Sequence, residues 1–346
     1  MPTARRRSGG SPRRDARRAR AAACAPVLLA LAAGCDDTPP RPAAPPRTTA
    51  SAPAAPALPR YFPLAPGDRW RTRGGSDGTV PRAFGVTGVD ARGVAIVFGG
   101  AGDTPERYTA DARAVTRVDE QGRPLVPLLR VPLEEGASWS YTLTERGVSV
   151  PCNAEVVRRD TAPREVGGAR LAACVTVRRV CRYPAGAPFP LATTHDREET
   201  YCPDVGLVGE TQRFSPPPAP GLLPAVLRER LVAWRVRGAP PSQAEGRLTC
   251  DDVLLLPSDV QAACGAALQP AGERSGADEE GACVFRYGGG GRTVEVRVRD
   301  ARETHDEPAP RDGTVPGIAL RTPHAAVDVA GCGDPRLAAL LRSLLP

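Results

Sequence analysis

The chain of 346 residues has room for two domains of ordinary size, and 41% hydrophobic residues suffice to bury cores. Only 4% aromatics, together with 39 prolines, point to short elements rather than long helices. All 46 basic residues are Arg, and residues 1–34 hold eight of them against one acid, Asp15. That surplus equals the net charge of +7 of the whole chain, so the rest is neutral overall. A neutral body excludes a general attraction for phosphate backbones, and no nucleic-acid partner is expected.

Residues 1–34 have the parts of an export signal: an Arg-rich start, an apolar run and small residues at its end. The run Ala21 to Gly34 is about 14 residues, short of the roughly 20 that a spanning helix needs. Its close, L-A-A-G-C, resembles a lipobox, with Ala32 where Leu is commonest. The resemblance implies cleavage before Cys35 and a lipid such as palmitate on that residue, making the membrane a partner. Asp36 leaves the choice of inner or outer membrane open, with the body facing the periplasm or the outside. A plain cleaved signal with an incidental Cys35, or an uncleaved anchor, is the alternative. Residues 35–60, rich in Pro, Ala and Thr, read as a disordered tether with nothing to bury.

Residues 61–237 read as strand after strand. Ala83–Val89 and Gly93–Phe98 flank a D-A-R-G turn. Ala114–Val118, Trp139–Thr144, Val150–Arg158, Ala169–Tyr183, Glu198–Tyr201, Gly206–Phe214 and Arg228–Val236 follow, with one short helix expected at Leu222–Leu227. Many short strands with turns between them imply a mainly β fold: a sandwich, an open barrel or one curved antiparallel sheet. Pro63–Trp70 and Pro132–Trp139 share P-L-x-x-G-x-x-W at identical spacing. The mechanical reading is a Gly-permitted turn followed by a Trp that opens a strand and fills the core. The functional reading is two Trp lining a ligand cleft.

That opening, the Gly168 to Cys174 stretch and the Y-x-P-x-V-G-L-V at Tyr201 to Val208 resemble a β-rich domain of lipoproteins of unknown function from delta-proteobacterial or myxobacterial-type genomes. The resemblance spans about residues 61–215. It implies an envelope location and a β architecture, and supplies no catalytic residues.

Residues 238–246 read as a linker, and residues 247–346 as a small α+β domain. Pro257 suits the first turn of a helix over Ser258–Cys264 stopped by Gly265. Cys283–Tyr287 and Thr293–Arg299 flank Gly288–Gly291 as a hairpin, and Val294, Val296 and Val298 alternate with charges. Gly317–Arg321 and Ala326–Val329 could add strands. Asp334, Pro335 and four Leu at helical spacing predict a final helix. The pattern resembles small disulfide-bonded lipoprotein domains of the DUF3558-like group.

Beyond Cys24 and Cys35, eight cysteines remain: Cys152, Cys174, Cys181, Cys202, Cys250, Cys264, Cys283 and Cys332. None has C-x-x-C spacing, so zinc-ribbon and thioredoxin-like readings are weak and disulfides are expected in an oxidising compartment. Hairpin geometry suggests Cys152 with Cys174 and Cys181 with Cys202. Cys174 and Cys181 are seven apart, so on one strand they face opposite sides and serve different bridges. In the second half, Cys250 with Cys283 and Cys264 with Cys332 would staple helices to sheet.

No chemistry stands out. The Gly288–Gly291 run lacks a phosphate-loop pattern, and no G-x-S-x-G elbow is present. Thr194-His195-Asp196 and Thr304-His305-Asp306 read as solvated loops rather than metal sites. Glu134-Glu135, Glu198-Glu199 and Glu279-Glu280 read as surface acids. No cofactor, metal or catalytic residue is expected. The leading expectation is a non-enzymatic, membrane-anchored envelope lipoprotein with a binding or structural role and an unidentified protein or apolar-ligand partner. A periplasmic carrier of an apolar ligand in a curved sheet is the runner-up, and a secreted hydrolase without a recognisable motif the third.

Overall fold

The structure, a computed structural model, describes residues 57–98, 104–186, 188–217, 224–239, 242, 248–265, 267–274, 281–302 and 317–345. Cys24, Cys35, Glu279, Glu280, His305 and most of the expected linker lie outside the described residues. From Ala54 onward the chain forms one compact unit, and it contains two main hydrophobic cores.

A 3-10 helix, Leu58–Tyr61, comes first. Leu58 is 3% exposed and Tyr61 1%, so the packed body starts inside the stretch expected to be tether. Then come β1 (Arg69–Gly74), β2 (Val80–Val89), β3 (Ala95–Phe98), β4 (Glu106–Ala110), β5 (Ala114–Val118), β6 (Pro124–Arg130), β7 (Ser138–Glu145) and β8 (Val148–Arg159). They are followed by β9 (Arg164–Val166), β10 (Ala169–Leu171), β11 (Val175–Tyr183), β12 (Thr193–Cys202), β13 (Gly206–Ser215) and β14 (Val226–Arg235). The mainly β expectation holds. The short helix at Leu222–Leu227 does not: Val226 and Leu227 open β14, and Leu222 and Leu223 lie outside the described residues. The long strand expected over Ala169–Tyr183 is broken by Ala173, at φ 57°.

Twelve strands make one antiparallel sheet in the order β6-β5-β4-β3-β2-β1-β14-β13-β12-β11-β8-β7. The chain enters mid-sheet at β1, runs by hairpins out to β6, passes to the opposite edge at β7, and returns until β14 pairs with β1. Consecutive β6 and β7 thus bring the two edges together, and the sheet curls into a barrel open along that seam. Trp139 Nε1 donates across it to the Pro127 carbonyl at 3.2 Å. Pro124 and Pro127 of β6 have no backbone donor, which an edge strand tolerates. The two-stranded β9–β10 hairpin and the 3-10 helix contribute Leu171, Leu58 and Tyr61 to the same core as Trp234 and Trp139.

The repeated P-L-x-x-G-x-x-W is one structural device used twice. Gly67 N donates to Val86 O, Val86 N to Asp68 O, and Asp68 N to Ala65 O. Gly136 N donates to Val156 O, Val156 N to Ala137 O, and Ala137 N to Glu134 O. Gly67 and Gly136 sit at φ 93° and 87°, where a side chain would be strained. Each turn then delivers a buried Trp into a hairpin, Trp70 at 5% exposure and Trp139 at 8%.

The second core belongs to a five-stranded sheet, β15 (Gln269–Arg274), β16 (Cys283–Gly289), β17 (Arg292–Asp300), β18 (Gly317–Arg321) and β19 (Ala325–Ala330), in the order β15-β16-β17-β19-β18. Helices α1 (Pro257–Cys264) and α2 (Pro335–Leu344) pack on it, with Val294, Val296 and Val298 buried beside Leu337, Leu341 and Leu344. Asp334 caps α2, accepting from Arg336 N at 2.8 Å. Among the described residues, no helix is long and apolar enough to cross a membrane.

Val253–Leu256 is an extended run buried on both sides, every residue 4% exposed or less. Val253 and Leu255 belong to the second core. Leu256 lies against Gly85 of β2, where an added Cβ would come 3.0 Å from its Cδ1. The carbonyls of this run receive donors from β1: Arg71 Nη1 reaches Val253 O at 3.3 Å and Arg69 Nη1 reaches Leu254 O at 3.1 Å. Arg69 also forks onto Asp259 of α1 at 2.5 and 2.9 Å, and Arg73 pairs with Asp251 at 2.7 Å. The outward face of β1, alternating Arg in the sequence, is therefore a buried joint.

Four disulfides form: Cys152–Cys181, Cys174–Cys202, Cys250–Cys283 and Cys264–Cys332. The second pair of bridges follows the expected pairing. In the first half, the expected Cys152–Cys174 and Cys181–Cys202 bridges are replaced. Cys152 and Cys181 are direct cross-strand partners on β8 and β11, and Cys174 and Cys202 sit at the neighbouring ends of β11 and β12. Cys174 and Cys181 do serve different bridges. The expected pairing failed on register: Cys181 is opposite Cys152 on β8 and opposite His195 on β12, so Cys202 meets Cys174 at the far end of the β11–β12 hairpin, the two bridges having Cα separations of 4.2 and 4.1 Å.

Candidate functional site: a cavity inside the open barrel

Period-two alternation places one face of each strand inside the curl. On β12 the inward residues are His195, Arg197, Glu199 and Tyr201, while Asp196 and Glu198 point out to Arg178 and Arg213. The inward set surrounds a cavity of about 810 Å³ reaching from Phe62 to Glu229 in sequence. Nine of the chain's fifteen aromatic residues line it, including Trp70 but not Trp139. So the two Trp of the repeat do not form a paired cleft.

The polar part of the wall is an ionic chain. Arg179 Nη1 donates to Glu199 Oε2 at 2.5 Å, and its Nη2 to the Leu128 carbonyl. Arg197 Nη2 bridges Glu199 at 2.9 Å and Glu210 at 2.6 Å. Gln212 donates to Glu210 and accepts from His195 Nε2 at 3.0 Å. His195 stacks on Phe214, ring centroids 4.5 Å apart. Across the cavity, Tyr108 donates to Glu106, which also takes Arg117 at 3.2 Å. Nearer the β7–β8 turn, Tyr183 donates to Glu145 at 3.0 Å.

These contacts set the charges. Burial pushes the Glu199 carboxyl up, but Arg179 and Arg197 outweigh it and hold it below its ordinary value. Burial dominates at Glu210 and raises it despite Arg197. Burial, reinforced by Arg197, lowers the His195 imidazole and favours its neutral form. Desolvation raises Tyr108, Tyr183 and Tyr201, which stay protonated donors.

Two expectations are corrected here. His195 was expected in a solvated loop; it is in mid-strand and half-buried in the cavity wall. Glu199 was expected at the surface and is 1% exposed between two guanidinium groups. Glu134 and Glu135 are exposed, as expected. Among the described residues, no three His, Cys, Asp or Glu gather closely enough to hold a metal ion. Among the described residues of the expected set of cysteines, Cys181 alone lines the cavity. Sequence reasoning missed His195, Arg197 and Glu199 because T-H-D-R-E-E-T-Y is polar at odd and even positions alike, and only Tyr201 at its end marks the inner face.

In class, the body is an open antiparallel β-barrel with a mixed aromatic and ionic interior. No family model matches the sequence, and no curated protein matches it. Among solved structures, a candidate lipoprotein from Parabacteroides distasonis ATCC 8503 is similar at 13% identity, covering 51% of this chain and 98% of its own, with a TM-score of 0.28. MucB is similar at 11% identity over 82% of this chain and 94% of its own, with a TM-score of 0.23. Scores this low carry no argument about the site.

Proposed function

We propose that the protein is a non-enzymatic, lipid-anchored binding protein of the bacterial envelope that encloses an amphipathic ligand in its open barrel. The cavity of about 810 Å³ carries this reading. Its size falls in the range of small-molecule sites, roughly 300–1,000 Å³, and its lining combines aromatic walls with a few fixed polar groups. Nearly all its charged side chains are neutralised by a partner, an arrangement that orders a wall rather than activates a nucleophile or base. The ionic wall changes the ligand expected from the sequence: a purely apolar molecule would leave that wall facing hydrocarbon. Export and the anchor at Cys35 rest on the signal-like residues 1–35, and Asp36 leaves either membrane open.

Two measurements test the two halves of the reading. An environment-sensitive naphthylamine probe should bind the full chain and brighten. Val97→Trp, which fills the cavity from β3, should weaken that binding by about fivefold or more; equal binding by the variant would reject the cavity as the site. Metabolic labelling with a palmitate analogue should mark the wild type and be lost in Cys35→Ser; retained label would reject the anchor.

A further inference from the structure

The cavity's charges do not balance. Four arginines and five glutamates line it. Arg117 takes Glu106, Arg179 takes Glu199, Arg197 takes Glu210, and Arg82 approaches Glu229 at 3.9 Å. Glu145 is left over. Its contact is the Tyr183 hydroxyl, and among the described residues no cation reaches it. It sits at the end of β7, half-buried, beside an aromatic corner. Tyr183 and Phe189 pack edge to face at 5.1 Å, Phe189 meets Phe214 at 5.7 Å, and Phe214 carries the His195 ring. A surplus carboxylate next to aromatic faces, in a site partly shielded from water, is the arrangement that recognises an ammonium group.

We infer that the cavity binds a cationic amphiphile, its ammonium head between Glu145 and the Tyr183–Phe189–Phe214 corner and its apolar part along the aromatic wall. This deepens the binding reading and depends on it. An anionic head would meet Glu145 unpaired and would have to displace an existing carboxylate from an arginine. A neutral head would leave Glu145 without compensation.

The test uses the full chain carrying Cys35→Ser, so that no solubilising detergent is present. Decyltrimethylammonium, decyl sulfate and decyl maltoside are titrated calorimetrically at concentrations that leave the near-ultraviolet circular dichroism unchanged. The ammonium should bind tightest. Glu145→Gln should weaken it about tenfold, as loss of one partly desolvated charge contact requires, while maltoside affinity should not fall, because the variant leaves no uncompensated carboxylate beneath a neutral head. Glu145→Asp, which keeps the charge, should retain most of the preference. Equal or tighter binding of the sulfate, or an unchanged ammonium affinity in Glu145→Gln, overturns the inference while leaving the cavity reading in place. If none of the three binds, the cavity reading itself falls. Should Glu145→Gln not fold, the order of the three head groups on the unsubstituted residue decides.

Discussion

Replacing Glu199 by Ala is expected to cost about 4 kcal/mol of folding stability, measured by urea denaturation. The carboxylate is 1% exposed and holds both Arg179, itself 4% exposed at the side chain, and Arg197. Without it, Arg179 keeps only a carbonyl partner and two guanidinium groups face each other across a buried wall. The cost therefore comes from stranded charge, not from the lost pair as such. Removing the pair together should be milder: Arg179→Met with Glu199→Leu should recover at least about 2 kcal/mol, because an apolar pair of similar volume leaves no unpaired ion. A loss below about 1 kcal/mol in Glu199→Ala would mean that solvent already screens the wall. The acid dependence has a definite sign. A carboxyl held below its ordinary value of 4.5 adds stability above that pH and loses it as the pH falls through the folded value. The gap between wild type and variant should thus be widest near neutrality and narrow on acidification.

Arg69→Ala should cost about 3 kcal/mol, and the loss should be concentrated at the joint between β1 and α1. Arg69 and Asp259 are 10% and 12% exposed, and the guanidinium also satisfies the Leu254 carbonyl. Asp259 retains one role, accepting from Leu256 N at 2.8 Å at the start of α1, which keeps the cost toward the lower end for a broken buried pair. Arg69→Lys should restore only part, since a point charge cannot fork onto both carboxylate oxygens. Trp70, Trp139 and Trp234 all belong to the barrel, so their fluorescence reports the first core alone. In the wild type that signal and far-ultraviolet circular dichroism should coincide in urea. In Arg69→Ala the two should separate, with the second core melting first. Coincident transitions at unchanged midpoint would show that the joint adds nothing.

Local patterns were legible wherever local physics decides. Asp334-Pro335 and the Leu spacing place α2, Pro257 and Gly265 bound α1, and the Gly-rich turn joins β16 to β17 at the Gly289–Arg292 pair. The P-L-x-x-G-x-x-W repeat gave a turn and a core Trp twice. Strands β4 and β6 were not anticipated: E-R-Y-T-A is short and polar, and β6 carries two prolines that argue against a strand except at an edge.

What the sequence by itself determined is the class of structure: alternation, turn residues, helix caps and an even set of eight bridging cysteines, all of which act over a few residues or by composition. Only the tertiary structure decided which face became interior. R-W-R-T-R on β1 alternates, but alternation says that two faces differ, not what each will meet, and T-H-D-R-E-E-T-Y on β12 is polar on both faces until Tyr201. Arg69 is buried by a segment 185 residues away, and Glu199 by Arg179 on the neighbouring strand, 20 residues back. Closing the sheet turned charged side chains inward, where they had to neutralise one another across strands. That pairing, and the one carboxylate it leaves over, exists only once the strands have curled.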